Sequence, residues 1–83
     1  MSLEKHDLIH ELPEYRDAIR ELKMNDRHFA KLFEQYHDVD HEVHRIEQGV
    51  ETPSDVYTDA QKKQRLHLKD QLHAMLLKHR MNA

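Results

Sequence analysis

A seven-residue rhythm between Asp26 and Gly49 limits this chain more than any other feature. Phe29, Tyr36, Val43 and Val50 share one position of the repeat, and Leu32, Val39 and Ile46 share another three residues on. Alternating spacings of three and four place these side chains on one narrow stripe of a helix, the pattern that zips along a second helix. Nearly every other residue in the segment is charged, His or amide. A strand would need period two, which is absent here.

With 83 residues, 37% of them apolar and 35% charged, one small helical domain spanning the whole chain is expected. Chains of this size bury only roughly 60–65% of the surface their unfolded form exposes, so a hairpin of two helices needs a further covering. One Gly and two Pro leave little material for turns, the balance expected of long helices. Cys is absent, which removes disulfides, thiolate nucleophiles and zinc–thiolate sites. No apolar run has the length of a membrane span. MSLEKHDL lacks the basic-then-apolar order of a secretory leader, so a cytoplasmic location is the expectation. A formal charge of −3 offers no overall attraction to nucleic acid or anionic membrane, though protonation of the nine His would reverse its sign.

Met1 to Leu12 is polar and weakly capped, suited to a loose helical turn around Leu8 and Leu12 or to fraying. Pro13 suits the first position of a helix over 13–24, with Glu14 and Asp17 favourable in its first turn. Tyr15, Ala18, Ile19 and Leu22 form its apolar side. Tyr15 and Leu22 are in phase with Phe29, which would permit one continuous helix. Asn25 on the seam and Asn-Asp as capping material predict a break instead. The second helix then covers 26–48, about 35 Å at ~1.5 Å per residue. Gly49 stands where a left-handed C-terminal cap is wanted.

A loop over 49–54 follows, and Thr52-Pro53-Ser54-Asp55 reads as the start of a third helix running from 54 to 79. Its stripe is Tyr57, Ala60, Gln61, Gln64, Leu68, Leu72 and Met75. A short loop forces the two long helices antiparallel. Matching the stripes pairs Val43 with Gln61, Tyr36 with Leu68, Leu32 with Leu72 and Phe29 with Met75, a hairpin apolar at its open end and wetter near its loop. The predicted fold is therefore all-α, an antiparallel coiled-coil-like hairpin with a short N-terminal helix. Leu66 and Leu77 lie off this stripe, with His73 beside them. Either the first helix folds back over them or they face another chain.

Three constellations bear on function. His37, His41 and His44 recur at i, i+4 and i+7 on one flank, a spacing able to chelate a divalent metal beside Asp38 or Asp40; His6 and His10 share the four-residue step. The motif is one residue short of HExxH, and a plain polar flank is the favoured reading. Lys62, Arg65, Lys69 and Arg80, with Lys63 and Lys78 further round, form a basic edge that could meet phosphates. Pairing with Asp40 and Glu47 is the favoured account, because the chain is net acidic and no aromatic interleaves the basic residues. Ser2 lies in the tail and Ser54 caps a helix, so no nucleophile stands out. Carboxylate pairs such as Asp38 with Glu42 are helix-surface neighbours. With one Gly, no glycine-rich phosphate loop can form.

Four blocks, Pro13-Glu14-Tyr15-Arg16, His28-Phe29-Ala30-Lys31-Leu32-Phe33, Ile46-Glu47-Gln48-Gly49 and Lys62-Lys63-Gln64-Arg65-Leu66-His67-Leu68-Lys69-Asp70, resemble in order and spacing the YdcH-like proteins, a family grouped as a domain of unknown function. The resemblance runs from about Leu8 to Leu77, and Leu66-His67-Leu68-Lys69-Asp70 is its most specific part. It implies a small helical or coiled-coil protein, bacterial and cytoplasmic, and supplies no catalytic residue to carry over. The abundance of His departs from the family pattern. The expectation is a non-enzymatic interaction protein without cofactor or bound metal. It would dock by helix packing on itself, as a homodimer, or on a protein partner, with Leu66, Lys69, Asp70, His73 and Leu77 as contact residues. Nucleic acid along the basic edge is the alternative reading, and metal at the His flank is the third.

Overall fold

The computed structural model of the chain describes residues 8–49 and 52–82. His6 and Val50, to which some sequence expectations attach, lie outside the described residues, as does the rest of the segment before Leu8. Helix α1 (Leu8–Glu11) leads into a 3₁₀ turn over Pro13–Tyr15, then α2 (Arg16–Asn25), α3 (Arg27–Glu47) and α4 (Asp55–Met81). No strand occurs among the described residues, and the architecture is all-α.

Local chemistry explains each boundary. Pro13 opens the 3₁₀ turn, where its missing N–H costs nothing. Asp26 adopts an extended backbone (φ −125°, ψ 110°), ends α2, and accepts a hydrogen bond at Oδ1 from the Phe29 amide at 3.1 Å. One residue thus closes one helix and caps the next. Gly49 takes φ +77°, the left-handed conformation that costs other residues about 1–2 kcal/mol. Ser54 Oγ accepts from the Tyr57 amide at 3.2 Å and starts α4. That helix runs to Met81, two residues beyond the expected end, with Lys78, His79 and Arg80 placed favourably in its last turn.

Contacts along α3 and α4 run in opposite directions. Tyr57 O–H donates to Glu42 Oε1 near the loop, while Arg65, farther up α4, donates to Asp40, nearer the start of α3. The core joins Phe29, Leu32 and Tyr36 to Leu68, Leu72 and Leu76, with Leu8, Tyr15 and Ile19 contributed by the N-terminal arm. Val43 is also buried. Tyr36, the largest of the fully buried side chains, is 1% exposed. Toward the loop the interface turns polar, as the stripe of α4 predicts.

Two expectations require correction. On α4 the deeply buried residues are Leu68, Leu72 and Leu76. Met75 is only partly buried, and Tyr57, Ala60 and Gln64 are exposed. The cause is that α4 serves two neighbours. Tyr15 sets its ring edge-on to His73, 5.5 Å between centroids, and Arg80 lies over the same ring at 5.7 Å. Leu76 stands between His73 and Arg80 on the helix, so the arm covers it. The second correction follows from the first: the arm folds back onto α4, yet it leaves Leu66 and Leu77 uncovered.

Burial separates two leucines of the same helix. Leu72→Ala, at a fully buried site, should cost about 2–5 kcal/mol in urea unfolding, whereas Leu66→Ala should stay within ~0.5 kcal/mol.

Candidate interaction surface

The five residues singled out for contact share α4, and the structure divides them. Leu66 is 55% and Leu77 46% exposed, eleven residues apart and so about 20° apart around the helix. Asp70 lies between them on the same exposed side. Lys69 turns toward the arm, where its Nζ is 3.9 Å from Glu11 Oε2. His73 borders both regions: it is exposed, yet one edge of its ring meets Tyr15. The outward face is therefore two half-exposed leucines bracketing Asp70 and His73, beside a flank already fastened to the arm.

Arg65, Lys69 and Arg80 of the basic edge are engaged within the molecule, and Lys62, Lys63 and Lys78 are exposed. Arg65 Nη1 donates to Asp40 Oδ1 at 3.1 Å and lies 3.8 Å from Glu47 Oε1. Asp40 is 8% exposed, so its charge is held in place by this guanidinium. A cleft of about 110 Å³ between the arm and the hairpin is lined by Glu11, Tyr36, Lys62, Arg65, Leu66 and Lys69, with Glu11 and Lys69 paired across it. A shallower hollow of about 310 Å³ lies at the open end, among Leu22, Asp26, Met75, Lys78, His79 and Asn82. There His79 Nε2 stands 3.3 Å from Glu21 Oε2, tying α2 to α4.

The His flank does not assemble. His37 turns inward and packs on Phe33 at 4.4 Å and edge-on to Tyr36 at 5.6 Å, while His41 is exposed. Among the described residues no group of three His, Cys, Asp or Glu could hold a metal ion. The missed signal is the four-residue step from Phe33 to His37, which brings an aromatic and an imidazole together on one helical face. Lys23 Nζ closes that stack from α2, 4.3 Å from the Phe33 ring centre. Ser54 is used as a helix cap, and no helix among the described residues is long and apolar enough to cross a membrane.

The fold and the surface together define a small all-α protein, a helical hairpin buttressed by an N-terminal arm and showing one partly apolar helix face. The chain belongs to the family described as "Protein of unknown function (DUF465)", whose model matches residues 29–76, the span from the first core aromatic of α3 to Leu76 of α4. It is 38% identical over 60 residues to "Uncharacterized protein YdcH" of Escherichia coli (strain K12), covering 72% of this chain and 81% of that protein. The protein of the same description from Shigella flexneri matches to the same extent. No solved structure matches the chain.

The Asp40–Arg65 pair yields a direct check. Arg65→Ala should strip a buried carboxylate of its closest cation and cost about 1–3 kcal/mol, read as a lower urea midpoint with unchanged slope.

Proposed function

We propose that this chain is a non-enzymatic interaction module that docks helix-to-helix through the outward face of α4. The observation that carries the reading is the exposure of Leu66 and Leu77 on one face, although the arm already folds back against the same helix. Single exposed leucines are ordinary on protein surfaces. Two on one face of a chain with so little apolar material to spare favour a contact surface. Helix-in-groove and helix-pair recognition place their apolar anchors on one helical face.

The polar residues around the leucines support the same reading. Asp70 gives the face a charge able to select a partner's orientation, and His73 is braced by Tyr15, which lowers the entropy lost when it is ordered in a contact. Lys69 and Arg65, by contrast, are committed to Glu11 and Asp40, which favours a structural use of the basic edge over phosphate binding.

The test is the double change Leu66→Lys with Leu77→Lys. Both positions are solvent-facing, so helicity and unfolding midpoint should hold to within ~0.5 kcal/mol, while association seen by light scattering or by pull-down from the native host is lost. A parent chain that scatters as a monomer, together with pull-downs that the double change does not alter, would overturn the reading.

A further inference from the structure

We propose that the outward face of α4 pairs with the same face of a second copy, antiparallel, in the register that sets Leu66 against Leu77 of the copy. This rests on the reading of that face as a docking surface and adds the partner and its orientation. The observation is a second seam on α4. Lys63, Leu66, Asp70, His73, Leu77 and Arg80 recur at steps of three, four, three, four and three, and every one of them is exposed. Such alternation is the repeat of a helix that lies along another helix. The first seam of α4, through Leu68, Leu72 and Leu76, is already spent on α3 and the arm.

Charge decides among the possible pairings. In the proposed register two leucine pairs meet, Leu66 with Leu77 of the copy and the reverse, and between them each Asp70 faces His73 of the copy. The contact is isologous and closes as a two-fold dimer, leaving no surface to propagate. Lys63 falls opposite Arg80 at both ends. There the long stems can lie along the seam with their charges in water, and Arg80 is already drawn over Tyr15. A slip of one repeat in one direction sets Leu66 against Asp70 and Leu77 against Asp59. A slip in the other carries Leu66 past the end of α4 at Met81. A parallel pair in register would stack Asp70 on Asp70 and His73 on His73 at the centre of the seam. The proposed register alone joins leucine to leucine and acid to imidazole. With four leucines at its centre the interface is smaller than that of standard stable complexes, so the dimer is a weak one that forms at high protein concentration.

The absence of Cys gives a clean background for the test. Chains of this sequence carrying Leu66→Cys or Leu77→Cys are oxidised mildly, separately and as a mixture, with circular dichroism confirming that each is folded. In the proposed register the thiol introduced at position 66 of one chain comes within disulfide reach of the thiol introduced at position 77 of the other. Two copies of residue 66, by contrast, stay about 16 Å apart along the helix axis. The expected result is a mixed disulfide forming at least tenfold faster than either homodisulfide, with the preference lost in denaturant. Adding Asp70→Arg to both chains should slow the mixed disulfide several-fold. Homodisulfides at equal rates, or no acceleration over denatured chains, would overturn the antiparallel pairing. An unchanged rate with Asp70→Arg would overturn it as well. These outcomes leave the broader docking reading to be judged by its own lysine substitutions, so the two can fail separately.

Discussion

The burial of Tyr36 between α3 and α4 is the contact on which the other features depend. Its side chain is 1% exposed and sits in one cluster with Phe29, Leu32, Leu68, Leu72 and Leu76. Each such side chain contributes roughly 1.5–3 kcal/mol on leaving water, and in a chain this small only a handful do so. Two helices alone would leave Leu72 and Leu76 with one side bare. The arm supplies the missing wall through Leu8, Tyr15 and Ile19, with its polar rim fastened by Glu11 to Lys69 and by Glu21 to His79. The break at Asp26 is what lets it do so, because a continuous helix from Pro13 would carry Tyr15 and Ile19 away from the core.

The helices of the hairpin could be read directly from residues because their causes are local. The stripe on α3 is a matter of spacing, and Asp26, Gly49 and Ser54 mark boundaries by capping chemistry that acts within three or four residues. The direction taken by the arm is not local. It depends on the backbone angles of the one extended residue at Asp26, and no periodicity encodes them. The same limit explains Leu76. A helix serving one neighbour shows one stripe, whereas α4 serves two, and their stripes merge into a band wider than a seven-residue rule detects.

The surface residues divide in the same way. Leu66 and Leu77 could be recognised as off the main stripe, and Asp40 as a partner for the basic edge, because both follow from position on a helix. That Lys69 is held by Glu11 and His73 braced by Tyr15 could not, since both partners come from the arm. His37 shows the limit of spacing in the other direction. The favoured reading of the three His is a solvated polar flank, yet that flank borders the core, and the nearest aromatic claims the first of them.

Asp40 also bears on why the hairpin has one register. The apolar stripes would tolerate a slip of one repeat that set Tyr36 against Met75 and Val43 against Leu68, with unwinding confined to the polar turns near the loop. Asp40 would not tolerate it. The same slip would move it off Arg65 and against Gln71 and Leu72, leaving a carboxylate that is 8% exposed without its cation. Losing the cation from this part-buried pair costs about 1–3 kcal/mol, and the slipped register alone bears that penalty. A pair worth little as a source of stability is therefore worth a good deal as a discriminator. A polar residue on an otherwise apolar seam fixes which turns of the two helices meet, and with that fixed, which face of α4 is left turned outward.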